Sequence, residues 1–165
     1  MTPVARQILL LQCCSLLLCW TALTGCSSPD VGAGGRITKV NYYHLLPEKP
    51  LNSNDPAIQF ERDRHLYGAV TREEILGRGG HYYTVFWKAT DRSLPVTVRF
   101  EYRQANSRLS TRRMEEIVPD VRGANVTRFQ VIGDAYKTDG RVTAWRVSLR
   151  RGDQELASHE SFLWN

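Results

Sequence analysis

The residue types that most often catalyse reactions or bind metals are few in this chain and do not cluster. Its four cysteines all lie within the first 26 residues, and its four histidines, His44, His65, His81 and His159, are far apart. No two histidines have the spacing of a metal-binding motif such as His-x-x-Glu-His. The Gly-x-Ser-x-Gly sequence that carries the nucleophile of α/β-hydrolases does not occur either. The sequence therefore predicts no catalytic residue, no metal site and no cofactor.

One cysteine, Cys26, stands directly behind an export signal. Arg6 supplies an early positive charge, and a leucine-rich apolar stretch follows it as far as Trp20. The stretch is shorter than the roughly 20 residues of a membrane-spanning helix, which is typical of a signal peptide. Leu23-Thr24-Gly25-Cys26 closes it and resembles the lipobox of bacterial lipoproteins. The resemblance implies cleavage before Cys26 and attachment of a diacylglyceryl group to the Cys26 thiol.

The lipobox also implies where the mature protein is held. Residues 1–25 would be removed as the signal peptide, and the remaining chain would contain no cysteine besides Cys26. Each buried acyl methylene contributes about 0.8 kcal/mol, so two or three acyl chains would anchor the protein stably in an envelope membrane. Ser27 rather than aspartate follows Cys26. In a host with two membranes this implies the outer membrane, with the protein facing the periplasm.

Length and composition predict that the mature chain is one domain preceded by a short tether. Residues 26–35 are small, polar and rich in glycine, which predicts a flexible tether, and residues 36–165 have the length of one domain. The chain has 22 lysines and arginines against 17 acids, and loss of Arg6 with the signal leaves 21 against 17. This excess of positive charge is too small to indicate nucleic-acid binding.

Alternation of apolar and polar residues predicts strands over most of residues 36–165. In the clearest case Val96, Val98, Phe100 and Tyr102 share one face, and a preceding strand over residues 81–89 carries Tyr83, Val85 and Trp87 on one face. We expect a hairpin through residues 90–93 to join these two strands. A capping box predicts a short helix that begins at Thr71. Further strands are expected over residues 37–45, 58–70, 114–118, 126–132, 143–150 and 156–164.

About seven strands with little helix predict an all-β fold, an antiparallel β-sandwich. The pattern resembles immunoglobulin and fibronectin type III domains, with Trp87 as the candidate core tryptophan in a third strand. The cysteine pair of immunoglobulin domains is absent. A lipocalin-type barrel is the alternative, but it needs more strands than the pattern provides.

A fibronectin-like strand order predicts one candidate binding face. If residues 81–89 lay between residues 95–103 and 141–150, the outward side chains of all three strands would share one sheet face. Exposed aromatic rings among cations suit a glycan or a protein partner. The alternative is a solvated face on which arginine stems cover two aromatic rings. The residues of this face are Tyr82, Phe86, Lys88, Arg99, Arg103, Arg146 and Arg150.

These features predict a membrane-anchored envelope lipoprotein that serves as a non-catalytic binding or assembly module for a protein or glycan partner. Two alternatives remain open: an envelope hydrolase whose site is not visible in the sequence, and a lipocalin-like carrier of apolar ligands. A hydrolase would require a cleft with converging titratable groups, and a carrier would require a hollow core. The sequence does not determine the oligomeric state.

Overall fold

The structure is a computed structural model that describes residues 31–51, 53–107 and 110–164. The lipobox and Cys26 lie outside these ranges. No helix within them is long and apolar enough to cross a membrane. In chain order the elements are β1 (Val31–Gly32), β2 (Gly35–Leu45), α1 (Pro56–Leu66), α2 (Arg72–Gly77), β3 (Gly80–Ala89), β4 (Val96–Gln104), β5 (Arg112–Val118), β6 (Asn125–Ile132), α3 (Gly133–Asp139), β7 (Val142–Arg151) and β8 (Gln154–Glu160).

The strands form two antiparallel sheets, which confirms the predicted all-β sandwich. The first sheet has the order β1-β2-β3-β6, and the second has the order β5-β4-β7-β8. Leaving out the two-residue β1, the first sheet holds the first, second and fifth of the seven longer strands, which are β2, β3 and β6. The second sheet holds the other four. Two such antiparallel sheets packed face to face are the β-sandwich architecture.

The core lies between the sheets and is built by the predicted alternation. Val96, Val98, Phe100 and Tyr102 of β4 are all buried. The ring of Phe100 lies 4.6 Å from that of Tyr83 on the first sheet, measured between centroids. Aromatic rings at such distances bury a large apolar area and also attract each other through their edges. The sandwich therefore has a filled interior rather than the hollow core of a lipocalin-like carrier.

Trp87 is the largest buried side chain of this core, and only 1 % of it is exposed. Its Nε1–H donates a hydrogen bond to Oγ1 of Thr127 over 3.2 Å, which satisfies the one polar atom of the indole. The prediction of Trp87 as a core tryptophan is confirmed. Its strand, β3, is the second long strand of the chain rather than the predicted third. The reason is that residues 58–70, which were predicted to be the second strand, are mostly helical.

The predicted hairpin through residues 90–93 is wrong, because this link crosses from one sheet to the other. β3 pairs with β2 and β6, whereas β4 pairs with β5 and β7. Alternation specifies which side of a strand faces the core, but it does not specify which strand is the neighbour. The assumed order, with β3 between β4 and β7, is wrong for the same reason.

Residues 58–70 were predicted to be a strand, but α1 occupies most of them. Asp55 caps the helix by accepting a hydrogen bond from the backbone N–H of Ala57 over 2.9 Å, and Pro56 occupies the first turn, where proline is favoured. No residue of α1 is buried, so the helix has no clear apolar stripe. The predicted helix at Thr71 is confirmed as α2, with both hydrogen bonds of its capping box present.

The folded part begins earlier than predicted. Val31 and Gly32, assigned by the sequence to the tether, pair with Arg36 and Gly35 of β2. The backbone of Leu156 approaches Gly32 so closely that a Cβ at this position would have no room. Residues 31–35 therefore belong to the sandwich. The helix α3 was not predicted, whereas the strands near residues 114–118, 126–132 and 143–150 are confirmed.

Candidate functional site

The seven residues predicted to share a binding face are divided between the two sheets. Three lie on β3 of the first sheet, and four lie on β4 and β7 of the second. They project from the outer sides of these sheets and therefore point away from each other. The residues on the first sheet are Tyr82, Phe86 and Lys88, and those on the second are Arg99, Arg103, Arg146 and Arg150.

The four arginines of the second sheet already have partners within the chain. Three of them form partly exposed ion pairs, which contribute about 0–1 kcal/mol each and also reduce the positive charge available to a ligand. The outer side of the second sheet is therefore a poor anion-binding surface. The pairs are Arg99 with Glu115, Arg146 and Arg150 with Glu155, and Arg103 with the carbonyl oxygen and the ring of Trp164.

The outer side of the first sheet is a grid of three rows, set by the register of β2, β3 and β6. Side chains at these paired positions lie beside each other on one face, because strand neighbours are only about 4.8 Å apart. The first row is Lys39-Phe86-Val126, the second is Asn41-Thr84-Arg128, and the third is Tyr43-Tyr82-Gln130.

Helix α1 covers the third row. The ring of His65 packs against Tyr43 and Tyr82, at centroid distances of 5.0 Å and 3.9 Å. Arg78 holds the end of the helix by donating to the carbonyl oxygens of His65 and Tyr67, over 3.1 Å and 2.6 Å. Such contacts satisfy carbonyl groups that have no partner within a helix. The third row is thereby largely closed, and the first and second rows remain open. We call these two rows, together with Lys88, the outer face.

A cavity of about 450 Å³ lies where α1 meets the outer face. Its lining includes Thr84 and Phe86 of β3, Arg128 of β6, and Tyr43 and Arg64 at the helix side. This volume is within the range of small-molecule sites, and such sites combine aromatic rings with a few polar groups. The cavity is therefore large enough to hold part of a ligand that lies on the sheet.

The outer face carries cations without acidic partners. Lys39, Lys88 and Arg128 form no ion pair with any described residue. Glu61 is the only acid among the described residues that line the cavity, and it pairs with Arg64 over 2.6 Å. A concentration of unpaired cations on one face creates a positive potential that attracts anions. The outer face is thus the better candidate for an anion-binding surface.

A second group of polar residues lies at one end of the sandwich, where His44 and His81 stack with centroids 4.0 Å apart and planes 12° from parallel. His44 Nε2 hydrogen-bonds with the Tyr136 hydroxyl over 2.7 Å, and His81 Nε2 accepts from the backbone N–H of Val142 over 3.2 Å. Stacked imidazoles direct their nitrogens along parallel planes, so they cannot converge on one ion. No group of three or more His, Cys, Asp or Glu in the described ranges could hold a metal.

The stacked pair makes stability depend on pH. Burial lowers the pKa of His81 to about 3 from the usual 6.5, and burial also lowers the pKa of His44. Between these pH values the folded state binds fewer protons than the unfolded state. We therefore expect the free energy of unfolding to fall as the pH drops from 6.5 towards 3. The slope is at most about 1.4 kcal/mol per pH unit for each such histidine.

Denaturant titrations of the protein and of His81→Gln between pH 7 and pH 4 measure this dependence. Glutamine does not titrate and can still accept from the Val142 N–H. The variant should therefore lose less stability over this range than the unchanged protein. Equal slopes would contradict the assignment of His81 as a buried neutral histidine.

Sequence reasoning missed the residues that complete the outer face. Lys39 and Asn41 of β2 and Arg128 of β6 lie on strands that were predicted, but these strands were not placed beside β3. The helix residues Arg64 and His65 were assigned to a strand. The Asp55-Pro56 start signal, and the capping box that follows at Thr71, could have identified a helical insertion between β2 and β3.

Comparison with protein-family models, with curated proteins and with solved structures finds no match to this chain.

Proposed function

We propose that the protein is a lipid-anchored envelope protein whose β-sandwich is a non-catalytic binding module for an anionic partner. The partner contacts the outer face. The observation that carries this proposal is the presence of Lys39, Lys88 and Arg128, unpaired within the described chain, around the half-buried ring of Phe86. Three unpaired cations beside a half-exposed ring offer positive charge and an apolar contact on one surface, a combination that suits a binding site.

The envelope location is supported by the lipobox resemblance at Leu23-Thr24-Gly25-Cys26. A lipid at Cys26 would leave only residues 27–30 between the anchor and β1. A domain held this way remains at the membrane surface, where a binding module can retain a partner without any catalytic group.

The surroundings of the outer face favour binding over hydrolysis. His65 is the histidine at the cavity, but its Nε2 is shielded from solvent and lies 3.4 Å from Glu61 Oε1. Burial also lowers the pKa of His65. A general acid or base must come within about 3 Å of the substrate atom, and a ring nitrogen shielded from solvent is poorly placed for this. His65 therefore serves to fix α1 on the sheet.

Site-directed photocrosslinking in intact cells tests the proposal. A photoreactive residue at Gln130, exposed beside the outer face, should form an adduct with an anionic envelope component. The matched position is Ile117 on β5 of the other sheet, where 69 % of the side chain is exposed. No adduct is expected there.

Mass spectrometry identifies the chemistry of the adduct. Adding Phe86→Ser and Arg128→Gln to the Gln130 probe should abolish it, because these changes remove the ring and one cation of the outer face. Absence of an adduct at position 130, or equal adducts at positions 130 and 117, would overturn the proposal.

A further inference from the structure

We propose that the anionic partner is an acidic glycan, a chain of pyranose rings that carry carboxylate groups. This inference rests on the proposed function, since it names the class of ligand that the outer face holds. It is carried by the arrangement of one aromatic ring, one free guanidinium and two free polar side chains on neighbouring strands.

The aromatic ring is that of Phe86, at the centre of the first row. Its cross-strand neighbours are Lys39 on β2 and Val126 on β6, of which Val126 is 43 % exposed. A pyranose ring has a flat face of C–H groups that can pack on such an apolar floor. Phe86 also lines the cavity beside α1, so a chain lying on the ring can extend into that cavity.

The guanidinium is that of Arg128, in the second row of the outer face. Its planar fork matches the two oxygens of a carboxylate, which a lysine ammonium cannot do. Arg128 lies at the edge of the sheet on β6, and its partner positions on β3 and β2 are Thr84 and Asn41. A carboxylate bound at Arg128 would thus have neutral polar groups on its sheet side rather than acids.

The two polar side chains, Asn41 and Thr84, form no hydrogen bond with the described part of the chain. Together they offer an amide and a hydroxyl, which can each donate and accept. Sugar hydroxyl groups need partners of this kind. An acidic peptide such as polyglutamate could also pair with the cations and with these two groups, but it has no flat C–H ring face to pack on Phe86.

The dimensions of the grid agree with an extended ligand. Three strands spaced about 4.8 Å apart place Lys39 and Arg128 at opposite sides of a strip about 10 Å wide. Lys88 extends the positive charge along β3 towards β1. This strip, with the adjoining cavity of about 450 Å³, accommodates more than one sugar ring. A repeating acidic glycan can therefore meet several cations at once.

Titration calorimetry on the lipidated protein in a neutral detergent tests the inference, with oligogalacturonate as the probe. The free acid should bind. The same oligomer with its carboxylates methyl-esterified should bind at least about tenfold more weakly. Arg128→Gln should also weaken binding of the free acid about tenfold, as expected for loss of a hydrogen-bonded charge. Phe86→Ser should weaken both forms. Arg113→Gln and Ile117→Ser on the outer side of β5 should leave both unchanged.

The outcomes separate this inference from the proposed function. Binding of polyglutamate as tight as that of oligogalacturonate would show that charge alone is recognised, and it would overturn the glycan assignment while an anionic partner remained. Equal binding of acid and ester would overturn it as well. Failure of oligogalacturonate to bind, with the adduct at position 130 present in cells, would overturn only the glycan. Loss of that adduct would overturn both.

Discussion

Replacing Trp87 by alanine is expected to lower the free energy of unfolding by about 3–5 kcal/mol. The indole is 1 % exposed and lies in the cluster that joins both sheets. Its removal leaves a large cavity and also deprives the buried Thr127 hydroxyl of the donor 3.2 Å away. Domains of this size are stable by only about 5–15 kcal/mol, so this one change removes much of the total.

Denaturant unfolding of purified variants measures this loss. Trp87→Phe keeps most of the volume and gives up the hydrogen bond to Thr127, so it should cost less than Trp87→Ala. Phe162→Ala is the surface control, because 98 % of that side chain is exposed, and its effect should be within about 0.5 kcal/mol. A loss below about 1 kcal/mol for Trp87→Ala would contradict the role of Trp87 in holding the two sheets together.

Replacing Cys26 by alanine is expected to abolish lipid labelling and to release the protein from the membrane. Alanine has no thiol to take up a diacylglyceryl group, and each lost acyl methylene removes about 0.8 kcal/mol of membrane affinity. Metabolic labelling with an alkyne fatty acid, followed by separation of membrane and supernatant fractions, measures both effects. The matched control is Cys19→Ala, which alters a cysteine of the signal stretch and should leave labelling unchanged.

Persistent labelling of Cys26→Ala would mean that the lipid is attached elsewhere or that the lipobox interpretation is wrong. The free energy of unfolding should not change in this variant, since the sandwich lies entirely beyond Cys26 in the described chain. A released protein that remains folded would separate the anchor from the binding module. It would also provide the protein with which to measure how much anchoring contributes to retention of the partner.

The core was predictable because burial acts on each strand separately. Val96 to Tyr102 alternate strictly, and every second residue is buried. The same signal failed for α1, where no residue is buried and Arg62, Asp63 and Arg64 interrupt any pattern. Helix α1 is held by contacts made from outside it, such as those of Arg78 with its last carbonyl groups. Such contacts depend on the tertiary fold, and a local sequence window does not contain them.

The sequence predicted on which side of a strand each site residue lies, but it did not predict which strands lie next to each other. Tyr82, Phe86 and Lys88 were correctly assigned to one side of β3, since alternation determines the side of a strand. Their partners Lys39 and Arg128 were missed because strand pairing depends on the whole topology. The predicted arginines of the second sheet lie away from Phe86 and are engaged by other side chains for a related reason. The acids that pair with Arg99, Arg146 and Arg150 lie on other strands, and only the folded chain brings them within reach.

If Cys26 is lipidated, the early start of β1 would limit how far the domain can move from the membrane. With a lipid on Cys26, the path to Val31 covers five residue steps, and a fully extended chain spans at most about 18 Å over that distance. Since β2 begins at Gly35 and pairs there with the end of β3, the outer face would start at the anchored end of the sandwich. A domain anchored in this way would sample only a thin layer beside the bilayer, and it would bind only those glycan chains that extend into that layer.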